Sequence, residues 1–281
     1  MAAEERILGI SRSYFRGRTL LVTGASSGIG YDVALVLAGL GARSALLARR
    51  EAQLEELAGR IRSQGGEPLV LTADVTRRDE VRHAIGRALE HFGYIDVLVN
   101  SAGILTADPV ETMDPRELQR MLDVNLLGTL HTMQAILPSM RAARSGSIVN
   151  IASLAGRRGM PPLGGYSASK FALVGLTEAL RVELFGTGVR VSLVMPGVVA
   201  TPMTRGTVES GGPGGVLDAV PALPVRWVTW AVIVALIFGL AEVDVPPGAA
   251  LAEKLAALFP GFTDAALAAG NRFFGWAANR R

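Results

Sequence analysis

The chain of 281 residues contains no cysteine, three histidines and two lysines. Without cysteine there is no disulfide, no thiolate metal site and no thiol nucleophile. The histidines His83, His91 and His131 all fall in segments that read as helices. They are too few and too scattered for a histidine-rich metal centre, and no metal is expected. With 28 basic and 25 acidic side chains the net charge is only +3. So balanced a chain has no strongly basic face, and nucleic acid is not an expected partner. The first 18 residues include Glu4 and Glu5 and no long apolar run. They do not read as a secretory leader, so a cytoplasmic protein is expected.

What is present points to a packed domain. The hydrophobic share is 49%, which excludes disordered and collagen-like chains and can supply a sizeable core. Short apolar runs alternate with longer amphipathic ones, as in a parallel sheet with crossover helices. Strands are expected at Thr19–Thr23, Arg43–Ala48, Leu69–Ala73, Asp96–Asn100, Ser147–Ile151 and Val189–Met195. Helices are expected at Gly30–Leu40, Glu51–Gln64, Arg77–Phe92, Pro115–Met140 and Ser167–Phe185. The strands are apolar throughout, which suits a sheet covered on both faces. The predicted architecture is a doubly wound, three-layer α/β/α sheet of Rossmann type, formed by residues 1–248. A helical tail, 249–281, is expected to pack on or near it. The stretch around 202–225 is rich in glycine and proline and reads as a mobile substrate loop.

The first strand runs into T-G-A-S-S-G-I-G, Thr23 to Gly30, and then into a helix. A glycine turn placed there presents backbone N–H groups and a positive helix end to a pyrophosphate. The glycines stand at Gly24, Gly28 and Gly30, a G-x-x-x-G-x-G spacing. Further along come Asp74 in A-D-V, N-S-A-G at Asn100 to Gly103, and Asn125 within a long helix. Ser153 follows the fifth strand, Y-S-A-S-K spans Tyr166 to Lys170, and P-G-V-V-A-T spans Pro196 to Thr201. Together these resemble the short-chain dehydrogenase/reductase family over about residues 17 to 205. One departure is Ser101, where that family commonly has asparagine.

The resemblance implies a nicotinamide dinucleotide held by Gly24, Ser26, Ser27, Gly28, Ile29, Gly30, Asp74, Val75, Asn100, Ala102, Gly103, Tyr166, Lys170, Pro196, Gly197, Val199 and Thr201. A carboxylate reading the ribose is expected at the end of strand two. Here that strand ends Ala48-Arg49-Arg50, with no acid before Glu51. Small Ala48 leaves room for a 2′-phosphate, and Arg49 with Arg50 can bond it through planar guanidinium groups. NADP(H) is therefore preferred over NAD(H).

Tyr166 and Lys170 lie four apart on one helix face. A phenol with a pKa near 10 is a poor acid/base, and a neighbouring ammonium is expected to lower it. A chain that otherwise writes arginine has spent one of its two lysines, Lys170, at this position; the other is Lys254. By resemblance, Lys170 would also bond the nicotinamide ribose, Ser153 would hold the substrate oxygen, and Asn125 would anchor a water in a proton relay. The implied activity is hydride transfer between nicotinamide and a carbonyl or secondary alcohol. Alternatives are an NAD-linked alcohol dehydrogenase of the same family, a non-catalytic dinucleotide sensor or scaffold, and a lipid-binding protein of the membrane surface. Substrate specificity should come from Ile104, Leu105, Leu154 to Pro162 and the loop after Pro202. Their apolar character suggests a hydrophobic ketone, acyl chain, steroid-like ring or keto-lipid.

The 15 residues Trp227 to Ala241 carry no charge until their end is passed. As a helix of about 22 Å they fall short of a ~30 Å hydrocarbon core. An all-apolar helix must still be covered. The covers considered are a subunit interface, the roof of the substrate cavity, and a membrane surface reached with Phe273, Phe274 and Trp276. The family resemblance favours the first, as a homodimer or homotetramer, with peripheral membrane contact as the alternative.

Overall fold

A computed structural model describes residues 10–209 and 221–278. Seven parallel strands form one sheet: β1 (Thr19–Thr23), β2 (Arg43–Ala48), β3 (Pro68–Thr72), β4 (Val97–Asn100), β5 (Gly146–Ile151), β6 (Val189–Pro196) and β7 (Glu242–Val245). Their order is β3-β2-β1-β4-β5-β6-β7. The order reverses between β1 and β4, and open α/β sheets bind ligands at such a switch point.

Helices cover both faces: α1 (Gly28–Gly39), α2 (Glu51–Ser63), α3 (Arg78–Phe92), α4 (Pro115–Leu122), α5 (Gly128–Ala143), α6 (Gly164–Glu183), α7 (Pro202–Glu209) and α8 (Val225–Phe238). Successive strand side chains point to opposite faces, which divides the core in two. Val22, Leu46, Val99 and Val149 pack with Val33 and Leu37 of α1, Leu54 and Leu57 of α2, and Val232 and Leu236 of α8. Leu21, Ala45, Leu98 and Ile148 pack with Val81 and Ile85 of α3, Met133 and Ile136 of α5, and Leu180 of α6. The helix ends follow simple electrostatics: α3 opens on Asp79 and Glu80, and α2 closes on Arg60 and Arg62.

Four segments differ from the sequence expectation. The helix expected over Pro115–Met140 is broken by a π-turn at Asp123–Leu127. Its extra residue turns Asn125 inward, where the side chain is fully buried. The loop expected after Pro202 begins as helix α7, because Thr201 caps its first turn: Thr204 N–H donates to Thr201 Oγ1 at 3.4 Å, and Thr204 Oγ1 donates to the Val199 carbonyl at 2.7 Å. The central part of the expected loop, 210–220, lies outside the described residues. The apolar run is helical only to Phe238, stopped by Gly239 at φ +63°. Its cover is the protein's own sheet and α1, with Val228, Val232, Ile233 and Leu236 in the core. The inner face of the helix is thus covered within the subunit, and the three covers considered from the sequence concern only its outer face. Trp227 and Trp230 stay partly exposed. The tail forms two helices, α9 (Ala249–Ala257) and α10 (Pro260–Ala278), broken ahead of Pro260. The side chains of Phe273, Phe274 and Trp276 are outside the described set. No helix among the described residues is long and apolar enough to cross a membrane.

Candidate active site

A cleft of about 400 Å³ opens at the carboxyl ends of the strands. β1 ends at Thr23, whose Oγ1 accepts the backbone N–H groups of Ser101 and Ala102 at 3.1 Å each. That bridge holds the loop after β4 against the glycine turn. Gly24 has φ +68°, and a Cβ there would meet the Ala102 backbone at 2.8 Å. A Cβ on Gly30 would lie 2.6 Å from the Gly24 carbonyl oxygen. Both positions therefore require glycine, one for conformation as well as space. The Ser27 side chain makes no cap bond to α1, and the first turn of α1 carries no acid. This N-terminus keeps its N–H groups for an anion, so the turn fits a dinucleotide pyrophosphate.

At the end of β2, Ala48 is buried and Arg49 and Arg50 reach the cleft. Arg50 donates to Ser26 Oγ at 2.9 Å and to Ser27 Oγ at 2.7 Å, which presses its guanidinium against the glycine turn. Arg49 is mostly exposed, with Nη1 3.6 Å from Asp74 Oδ2. Asp74 also accepts from Thr76 N–H and Oγ1 at 3.0 and 2.9 Å.

Behind the cleft, Asn100 donates to Asn150 Oδ1 at 2.9 Å and accepts from Thr132 Oγ1 at 2.7 Å. Asn150 donates to Thr177 Oγ1 at 2.9 Å. This buried, satisfied chain ties α5 and α6 to the strand ends. Asn125 Oδ1 accepts from Ile104 N–H at 2.8 Å, and Nδ2 donates to the Ile104 carbonyl and to Ser169 Oγ at 3.0 and 2.9 Å.

Ser153 follows β5, and its Oγ donates to the Pro196 carbonyl at 3.2 Å. α6 delivers Tyr166 and Lys170 to the same wall. Lys170 is only 5% exposed, and its Nζ donates to the Ile151 carbonyl at 2.9 Å. Burial lowers its pKa to about 8. Burial pushes Tyr166 up to about 12, and a hydrogen bond with Ser153 pulls it only partly back. The phenol is thus raised, not lowered as the pairing with Lys170 suggests on sequence alone. One of the three ammonium N–H groups goes to the main chain, and the ammonium sits 5.7 Å from the ring centroid.

A family model for short chain dehydrogenases matches residues 18–211. The chain belongs to the short-chain dehydrogenase family. An uncharacterized oxidoreductase of Staphylococcus saprophyticus is 43% identical over 192 residues, 68% of this chain and 82% of that protein. A metagenomic short-chain oxidoreductase solved with NADP shares 33% identity at a TM-score of 0.70, covering 82% of this chain and 97% of its own. A short-chain dehydrogenase/reductase from Burkholderia phymatum solved with NAD shares 27% identity at a TM-score of 0.79, covering 89% and 96%. The family binds a nicotinamide dinucleotide, and these two structures hold different ones.

Within this short-chain dehydrogenase the sequence-derived residues divide into two groups. Gly24, Ser26, Ser27, Gly28, Ile29, Arg49, Arg50, Asp74, Val75, Ala102, Gly103, Ser153, Tyr166, Lys170, Pro196, Gly197, Val199 and Thr201 all line the cleft. Gly30, Asn100 and Asn125 stand behind it and support its walls through the contacts above. Ser101, the departure from the family pattern, bonds Thr23 through its backbone, so this bridge is indifferent to the side chain. Met203 and Thr204 on α7 fall in the stretch after Pro202 that the sequence reading gave to the substrate, whereas Glu253 on α9, which also lines the cleft, escaped that reading. A lone glutamate in an alanine-rich tail carries no sequence signal that could have found it.

Proposed function

We propose that the protein is an NADP(H)-dependent oxidoreductase that interconverts a carbonyl and a secondary alcohol on a hydrophobic substrate. The observation that carries this reading is the convergence of Ser153, Tyr166 and Lys170 on one cleft, beside a glycine turn open to an anion. The dinucleotide, when bound, supplies or accepts a hydride. Tyr166 keeps its proton through the neutral range and gives it to the carbonyl oxygen, or takes one back in the reverse direction. Ser153 hydrogen-bonds the same oxygen and orients it. Lys170, charged below about pH 8, holds the ribose hydroxyls next to the nicotinamide. Asn125 is a positioning residue, fixing Ile104 and Ser169 on either side of the cleft wall.

The preference for NADP(H) over NAD(H) is supported by Ala48, Arg49 and Arg50 at the end of β2, where an acid would repel a 2′-phosphate. Gly24 through Ile29 receive the pyrophosphate, Asp74 and Val75 the adenine side, and Pro196, Gly197, Val199 and Thr201 the nicotinamide side. Apolar walls from Ile104, Leu105, Leu154 and Met160 support a hydrophobic substrate. Exposed Phe171 and Val182 on α6, with Phe185 just beyond its end, support a homodimer or homotetramer. The dinucleotide-binding unit takes in residues 1–248, with 249–281 packed against it as a tail.

The test is a screen of NADPH oxidation against ketones, 3-oxoacyl thioesters, steroids and long-chain keto-lipids. Turnover of at least one class, lost in Tyr166→Phe, is the expected result. Equal turnover by Tyr166→Phe would overturn the assignment of the proton donor.

A further inference from the structure

The substrate end of the cleft is walled by Leu105, Leu154, Met160, Leu163 and Met203, and one carboxylate stands among them. It is Glu253, which α9 brings in from beyond β7. Its Oε2 is buried and has no hydrogen-bond partner among the described residues. A buried acceptor left unpaired is costly and needs a reason.

The surrounding charges give one. Arg157, in the turn after β5, donates from Nη2 to Glu178 of α6 and to Glu242 of β7 at 2.8 Å each. Its single charge is thus already shared by two carboxylates. Asp244 of β7 and Glu242 both push Glu253 upward, burial adds the largest push, and Arg157 opposes them; the group is held at about 7. Arg158 pairs with Asp264 of α10, which fastens the tail to the turn after β5 and keeps α9 over the cleft. Lys254, the neighbour on α9, is exposed. Glu178 and Glu242 therefore already share the one guanidinium that acts on Glu253.

We propose that Glu253 is a specificity-determining residue of the cleft, a carboxylate supplied by the C-terminal tail that selects carbonyl substrates carrying an ammonium group. An anionic substrate arm meets net repulsion there. A plain alkyl arm leaves Oε2 unpaired. An ammonium brings three donors and a positive charge to the unpaired Oε2 in an otherwise apolar pocket, where charge pairing is strong. This inference rests on the oxidoreductase reading above and narrows its substrate class.

The test uses two ketones of nearly equal shape, para-(aminomethyl)acetophenone and para-ethylacetophenone, with the full-length chain. Binding to the NADPH-loaded protein is measured by calorimetry, and turnover is followed separately by NADPH oxidation. At pH 8 the amino ketone should bind at least tenfold more tightly than the ethyl ketone. The gap should shrink at pH 6, where Glu253 is protonated. Glu253→Gln, which keeps the shape, should remove most of the gap at pH 8, with the loss appearing in KM for the amino ketone. Equal binding of the two ketones, binding of neither, or a preference that survives Glu253→Gln would overturn the proposal. Preferential binding without any NADPH oxidation would instead sink the oxidoreductase reading and leave Glu253 as a selective ligand.

Discussion

Lys170 donates one Nζ–H to the Ile151 carbonyl at 2.9 Å while lying 5.7 Å from the centre of the Tyr166 ring. The lysine is thereby anchored to the end of β5 and does not clasp the phenol. Its buried ammonium titrates near 8, and the buried phenol near 12. The two groups therefore carry a charge and a proton, respectively, at neutral pH. This is the state needed for a cation that binds a ribose and an acid that donates to a carbonyl.

Removing the phenolic hydroxyl should isolate the proton-transfer step. Tyr166→Phe is expected to keep the fold and NADPH affinity while kcat for carbonyl reduction falls by roughly 10²-fold or more. Steady-state kinetics beside NADPH titration by fluorescence checks both halves. A parallel loss of NADPH binding would place Tyr166 in cofactor binding instead.

The lowered pKa of Lys170 has a definite sign. The ammonium is present below about pH 8 and lost above it, so the Kd for NADPH should rise as pH passes from 7 to 9. Lys170→Arg keeps a charge over this range, so its pH dependence should flatten. Its affinity should nevertheless be lower throughout, because a planar guanidinium does not fit the space of a compact ammonium. A flat profile in the unmodified protein would remove Lys170 from the ribose contact.

Tyr166 also makes a stability prediction. Its folded pKa lies above the ordinary value of 10.0, so the fold gains from the neutral phenol fully below pH 10 and loses that gain as pH rises toward 12. Thermal melts between pH 9 and 11 should show a steeper alkaline decline in the unmodified protein than in Tyr166→Phe. Identical slopes would mean that the phenol is not desolvated.

Cofactor choice should follow the end of β2. NADPH is expected to bind at least tenfold more tightly than NADH, about 1.4 kcal/mol. Ala48→Asp combined with Arg49→Ala should reverse the order. Comparable Kd values for the two dinucleotides in the unmodified chain would end this assignment.

The two faces of α8 should respond differently to charge. Ile233 is 1% exposed in the core, whereas Trp230 is 40% exposed. Ile233→Glu buries an unpaired carboxylate and should cost about 3 kcal/mol or more, with loss of cooperative melting. Trp230→Glu should stay folded, because its face already meets solvent. A folded Ile233→Glu protein that had merely changed its oligomeric state would contradict the packing of α8 on α1 and the sheet.

The sequence by itself determined the sheet, the glycine turn and most of the lining of the cleft. Those features depend on local chemistry: apolar runs short enough for strands, glycines where a Cβ would strike Ala102 or the Gly24 carbonyl, and a lysine where the chain otherwise writes arginine. Only the tertiary structure decided the rest. The π-turn that buries Asn125 arises because Ile104, 21 residues earlier, offers both backbone groups to its amide. The cover of the apolar run is α1, nearly two hundred residues earlier in the chain, as the bond from Thr229 of α8 to Asp32 also shows. The direction of the Tyr166 shift depended on how far the phenol is desolvated and on where a Lys170 donor is spent, neither of which a spacing of four reveals. Glu253 enters the cleft for the same kind of reason: β7 and the Arg158–Asp264 pair fix where α9 lies, and both are contacts between segments far apart in sequence.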